Sequence, residues 1–388
     1  MLAIIAFQFV SDCKSRRRPK LPPLLLSAYL AAALLATILH WRFTVGEFYE
    51  WLVFAYVAFL FHFFSNAFGG RKSLLNMLAA CGGIILIAVL LAFMYEIISF
   101  AFGCRSLFCF FSEQMETTEM AFLSRRFAFT MNNPNVFACF YVLPFALLTP
   151  FIFQHDWSRH PLRLRLLYFP LCLLLLMPLL SSASKHGLMS LAIMAGWFPP
   201  IFGLRRRWLT ALLLAGVLAV TAVFELTVLF TAFPPQSRFP FINTQPGMYS
   251  VHQGTYAKMV CAHPSSLPLG MGITKTKEEY PKFADHALAE SVLQRYNAMA
   301  SYENFITFMD AHNEFLNQTA LFGVIPLLLL LAFILSRTHH ANASTILFVA
   351  ALLCCCLWDD LLSKRPIWIA LAILSQEAVA KPFSSGLH

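Results

Sequence analysis

Ten long hydrophobic stretches alternate with short polar connectors along this chain, at residues 21–41, 47–66, 74–102, 135–154, 166–182, 187–203, 209–231, 319–335, 344–362 and 366–380. Each is close to the ~20 residues that a helix needs to cross a bilayer, and the shorter ones imply tilt or local thinning. Residues 1–10 are also apolar. They are too short to span and lack the basic start and small-residue cleavage site of a signal peptide, so they read as the tail of a further helix. The pattern predicts an all-α, polytopic transmembrane helix bundle of ten full spans plus this N-terminal partial one, forming a single membrane domain over residues 1–388.

Two connectors are too long to be turns, residues 103–134 and 232–318. The second is the one sizeable extramembrane segment, and its stretch EEYPKFADHALAESVLQRYNAMASYENFITFMD predicts short helices. Its apolar content suits folding against the membrane face rather than an independent domain.

Composition agrees. The chain is 59% hydrophobic and only 12% charged, with a mean hydropathy of +0.67, whereas soluble domains carry about 25% charged residues. A net charge of +9 raises the question of a nucleic-acid partner. The basic residues are spread as short clusters between apolar runs instead of sharing a face, which excludes that reading. Topology explains them: with SDCKSRRRPK (11–20) placed on the cytoplasmic side, strict alternation puts 15 Lys and Arg in inner loops against 7 in the short outer ones. The C-terminus is then cytoplasmic and segment 232–318 faces out. The ten cysteines show no CxxC or zinc spacing, and most lie inside apolar runs.

Four outer-facing clusters hold polarity where hydrocarbon begins. In SRRFAFTMNNPNVFACF (124–140), Asn132, Asn133 and Pro134 fit a capped helix start, while Arg125 and Arg126 beside a helix N-terminus suit an anion such as phosphate. In SSASKHG (181–187), Lys185 and His186 sit in a tight turn, either reaching the headgroups or holding an anionic partner. In the long loop, PLGMG (268–272) is a turn whose backbone amides are open to close approach, and His252 and Tyr256 lie one helical turn apart. The stretch DAHNEFLNQTALFG (310–323) leads a polar loop into an apolar helix. Its His312, beside Asp310, Asn313 and Glu314, is either a proton acceptor whose pKa the carboxylates raise or an idle residue at a polar helix start.

The order NNPNVFA, SASKHG, HQGTY with PLGMG, and HNEFLNQTALFG resembles that of the bacterial O-antigen ligase superfamily, which also includes O-antigen polymerases. The resemblance extends over nearly the whole topology. It implies a periplasmic large loop and a site facing the periplasm of a bacterial inner membrane. It further implies transfer of a glycan from a polyprenyl-diphosphate carrier, in the ligases to a lipid A core sugar. His312 would act as general base on the acceptor hydroxyl. Lys185 stands where the family has an arginine, as does His252, and Tyr256 replaces a tryptophan. Diphosphate would then be held by Lys185, protonated His252, Arg125, Arg126 or Arg238, with Asn313, His186 and Tyr256 also lining the donor. Neither cofactor nor metal is implied, and the sequence has no DxD motif or evident carboxylate cluster. A polymerase extending a lipid-linked glycan uses the same donor. A transporter of a lipid-linked or anionic solute is the alternative from another class, although no repeated halves are visible, and Asp359 and Asp360 at the end of an apolar run belong to none of these motifs.

Overall fold

The computed structural model describes residues 23–40, 45–67, 72–102, 111–112, 126–131, 133–182, 184, 186–203, 248–295, 302–339, 341–357 and 359–375. Its helices are α1 (Leu24–Leu39), α2 (Val45–Ala67), α3 (Lys72–Ala101), α4 (Pro134–Gln154), α5 (Leu162–Leu166), α6 (Tyr168–Ser182), α7 (Gly187–Ala195), α8 (Phe198–Phe202), α9 (Met248–Ala262), α10 (Gly272–Phe283), α11 (His286–Arg295), α12 (Tyr302–Thr307), α13 (Glu314–Leu321), α14 (Val324–Ser336), α15 (Ala343–Cys355) and α16 (Arg365–Leu374). Among the described residues the one strand pairing is a two-residue antiparallel match of Phe111–Ser112 with Arg126–Phe127.

Nine of the ten apolar stretches fall on these helices, and residues 209–231 lie outside the described set, as do residues 1–20. Four helices, Phe48–Asn66, Asn76–Ser99, Pro134–Gln154 and Leu162–Ser182, are long and apolar enough to cross a membrane, and five shorter apolar helices accompany them. Helix α4 is the hub. It buries 61% of its most apolar stretch against 22–28% for the other three long helices, and α3, α7 and α16 pack on it. Its start is the capped one expected: Pro134 occupies the first turn, and the Asn133 side chain accepts from the amides of Asn135 and Val136.

Several apolar runs prove to be interrupted. The 187–203 run breaks at Gly196 and Trp197 into α7 and α8. There Gly196 lets α7 approach α15 so closely that a Cβ would sit 2.4 Å from the Ser344 backbone, and the Ser344 hydroxyl donates to the Ile193 carbonyl at 3.0 Å. The 344–362 run leaves helix after Cys355, so residues 357 and 359–364 lie in a connector. The 319–335 run divides between α13 and α14 at Gly323, whose φ of +94° favours glycine. Into that break fits the 267–271 turn: the amides of Val324 and Ile325 donate to the carbonyls of Leu267 and Pro268, and Met271 N donates to Ala320 O at 2.7 Å. A Cβ at Gly270 would lie 2.5 Å from Leu321 O. The close approach that PLGMG permits is therefore to its own chain, which corrects the expectation of amides open to a ligand.

Helices α9 to α12, with the first turns of α13, enclose two small apolar clusters, one around Tyr256, Met259, Met271 and Tyr280, the other around Val251, Val292, Leu293 and Phe305. Ala320 of α13 belongs to the first, which ties this layer to the apolar helices.

Candidate functional site

Four segments distant in sequence meet at one end of the helical core: the turn before α7 (Ser184, His186), α9 (His252, Gln253), the entrance to α13 (His312 to Glu314) and the connector after α15 (Leu357 to Leu362). Asp359 sits at their centre. Its Oδ2 lies 3.1 Å from His186 Nε2 and its Oδ1 3.7 Å from His312 Nδ1. The shorter contact is an ion pair within hydrogen-bond reach, and the longer one is a Coulombic pairing. His186 is thus given the anionic partner that the tight turn calls for, and its other face lies 3.3 Å from the Ser184 hydroxyl. Sequence motifs did not single out Asp359. The available signal was a pair of adjacent carboxylates at the end of an apolar run.

Hydrogen bonds fasten the segments together. Asn313 caps α13 by accepting from Leu316 N at 3.1 Å, while its amide donates to Leu357 O at 3.1 Å. The Gln253 amide donates to His312 O at 2.9 Å and to Leu357 O at 3.2 Å. Glu314 is fully buried. It accepts from Gln318 Nε2 at 2.8 Å and from Leu362 N at 2.9 Å, and its own amide donates to Cys356 O. Asn313 therefore ties the chain's own loops together, and Glu314 turns into the core instead of toward His312. Between these anchors His312 is held at φ +46°, a conformation uncommon outside glycine and costing about 1–2 kcal/mol. Strain of this kind persists where the surroundings over-determine it.

Electrostatics separate the ionisable groups. Burial opposes charge on His312, yet Asp359 and the nearby Asp360 and Asp310 outweigh it and raise its pKa. Burial likewise opposes charge on His186, but Asp359 carries it up to about 9. Asp359, despite burial, is held well below the usual carboxylate range by the two imidazoles. Asp360 is pushed up to about 8 by burial and by Glu314, Asp310 and Asp359. Its Oδ1 is buried without a hydrogen-bond partner among the described residues. A cluster of His312, Asp359 and Asp360, with one ligand-type atom from each within 4.8 Å of the others, therefore exists where the sequence had no evident carboxylate cluster.

His252 corrects a second expectation. It is 1% exposed, packed against Phe305 at 4.2 Å between ring centroids and hydrogen-bonded through Nδ1 to the Tyr280 hydroxyl at 2.6 Å. Burial, with His312 nearby, lowers its pKa to about 4. Burial therefore disfavours the charged form at neutral pH, which runs against the expected role as a protonated diphosphate ligand. Tyr256 is also buried, its ring 5.8 Å from that of Tyr280. Of the remaining expected residues, Lys185, Arg125 and Arg238 lie outside the described residues, and Arg126 is described in its backbone alone.

The fold and site together define a hydrophobic helical protein with several membrane-length helices and a histidine–carboxylate centre at one end of its core. No protein-family model, curated protein or solved structure matches the chain.

Proposed function

We propose that the chain is an integral inner-membrane glycosyltransferase of the O-antigen ligase type. On this reading ten spans and an N-terminal partial one carry a periplasmic segment 232–318, the C-terminus is cytoplasmic, and the site faces the periplasm. The observation that carries the reading is the histidine of the HNEFL motif, strained at a helix entrance, with Asp359 behind its Nδ1 at 3.7 Å. An imidazole backed in this way by a carboxylate is oriented to take a proton at its other nitrogen.

The reaction is a displacement at the anomeric carbon of a polyprenyl-diphosphate-linked glycan. An acceptor hydroxyl oxygen forms the new bond to that carbon, its proton passes to His312 Nε2, and the bond to the diphosphate breaks with its electron pair leaving on the phosphate oxygen. General-base assistance of this kind is worth about 10²- to 10⁴-fold in rate. Lys185, next in sequence to His186, would hold the leaving group. His186, whose charge is matched by Asp359, supports the position of that carboxylate instead.

The test is transfer by purified protein in liposomes from a polyprenyl-diphosphate glycan to lipid A core. Wild type is expected to yield a lipid-A-linked product, and His312→Ala to lose it while retaining fold. A longer lipid-diphosphate-linked glycan would identify a polymerase. Glycan movement across the vesicle without any new bond would refute the enzyme reading in favour of transport.

A further inference from the structure

Asp360 is 9% exposed, and its Oδ1 finds no hydrogen-bond donor among the described residues. That is an expensive state for a carboxylate. The side chain is not stranded in apolar surroundings. One of its carboxylate oxygens shares a small space with Asp359 and His312, one ligand-type atom from each of the three lying within 4.8 Å of the others. We propose that His312, Asp359 and Asp360 form a binding site for one divalent transition-metal cation.

The geometry needs little adjustment. Two metal–ligand bonds of ~2.1 Å span at most ~4.2 Å, so a closure of under ~1 Å brings all three atoms into one coordination sphere. His312 Nδ1 and Asp359 Oδ1, already 3.7 Å apart, fall inside that span as they stand. One imidazole nitrogen with two carboxylate oxygens favours Zn²⁺ or Mn²⁺ over the all-oxygen sites of Ca²⁺ and Mg²⁺. The outer shell is built as metal sites usually build it: Asp359 is oriented through its second oxygen by His186 at 3.1 Å. The loops bearing the ligands are tied together through Gln253, Asn313 and Glu314. The side chains of His312 and Asp359 are 24% and 19% exposed, while His312 Nδ1 and Asp360 Oδ1 are themselves enclosed.

Occupancy has a consequence that rests on the glycosyltransferase reading, whereas the site itself does not. A cation on Nδ1 leaves His312 holding a proton at Nε2, so the metal-loaded imidazole cannot accept the acceptor's proton. The loaded and the transferring states are then mutually exclusive, and the cation is an inhibitor.

The experiment uses the full chain, purified in detergent, stripped with chelator and titrated with Co²⁺, whose visible absorption reports nitrogen and oxygen ligands. The expected result is one Co²⁺ per chain, displaced by Zn²⁺, with affinity lowered more than about 10-fold in Asp360→Asn and in His312→Ala. Asp285→Asn, altering an exposed carboxylate elsewhere, should bind as wild type. Gel-filtration profile and thermal transition establish that each variant is folded. Absence of Co²⁺ binding by folded wild type at sub-millimolar concentration, or binding unchanged in both Asp360→Asn and His312→Ala, overturns the proposal. A parallel transfer assay separates the two ideas. Inhibition by Zn²⁺ that chelator reverses supports the exclusive states, and uninhibited transfer at saturating Zn²⁺ overturns them. Co²⁺ binding through these residues in a protein with no transfer activity leaves the cation site standing while the glycosyltransferase reading falls.

Discussion

Replacing Glu314 with alanine should unfasten the connector that carries Asp359, and replacing it with glutamine should not. Glu314 is fully buried and accepts two hydrogen bonds, from Gln318 Nε2 at 2.8 Å and from Leu362 N at 2.9 Å. Alanine leaves both donors in a closed interior, at about 1–3 kcal/mol each, so the expected loss is roughly 2–6 kcal/mol. Glutamine keeps the volume but offers one acceptor in place of two. The network can absorb that change: the new carbonyl accepts from Leu362 N, the new amide donates to a reoriented Gln318, and the Tyr29 hydroxyl, now 3.3 Å from Gln318 Oε1, turns to accept. The cost should then stay within about 1 kcal/mol. Thermal unfolding of the purified protein ranks the variants, and amide hydrogen exchange at Leu362 localises the effect. A local loss of 2 kcal/mol corresponds to exchange faster by about 30-fold. Wild-type protection of Leu362 in a destabilised Glu314→Ala protein would refute the clamp.

The same residue gives a pH signature. Burial pushes its carboxyl up to about 7, in spite of the two donors, against an unfolded value of about 4.3. The folded protein therefore holds a proton there that the unfolded chain has released, and stability declines as pH rises from about 4.3 through about 7. Glu314→Gln removes that decline, so it should gain on wild type across this window and not below it.

Asp359→Asn keeps the shape of the centre but leaves His186 without a counter-charge, and transfer should fall by about 10²-fold or more. Because His186 is carried up to about 9, the stability that the ion pair contributes is complete below about 6.5 and lost as pH rises through about 9. The melting difference between wild type and Asp359→Asn should shrink over that range. His312→Gly and His312→Ala should both abolish transfer, with glycine the more stable in thermal unfolding by about 1 kcal/mol because φ is +46°; equal stability would show that the strain is not real. Gly323→Ala places a Cβ 2.4 Å from Pro268 O at φ +94° and should cost about 3 kcal/mol or more, read as lowered folded yield and melting temperature.

What could be read from the chain alone was whatever depends on neighbours in sequence. Apolar stretches of bilayer length mark helices because a helix that crosses hydrocarbon needs about 20 predominantly apolar residues, and Asn133 with Pro134 marks a helix start because capping is satisfied within three residues. Interruptions were hidden because they depend on a partner: Gly323 breaks the run at α13 only because the 267–271 turn supplies acceptors for the freed amides. His312 was legible as polarity at the mouth of an apolar helix. Asp359 was not, since nothing local distinguishes it from Asp360. The difference arises in space, where α7 packs against α15 through Gly196 and Ser344 and brings His186 to one of the two carboxylates. Charge state was the least legible property. His252 and His312 are both histidines in polar surroundings by sequence, yet one faces Phe305 and Tyr280 and is driven neutral, while the other faces three carboxylates and has its pKa raised. A basic residue inferred from a motif therefore acquires its chemistry only once its packing is known: packing takes the charge from His252, and it gives His312 the carboxylate of Asp359 as a neighbour.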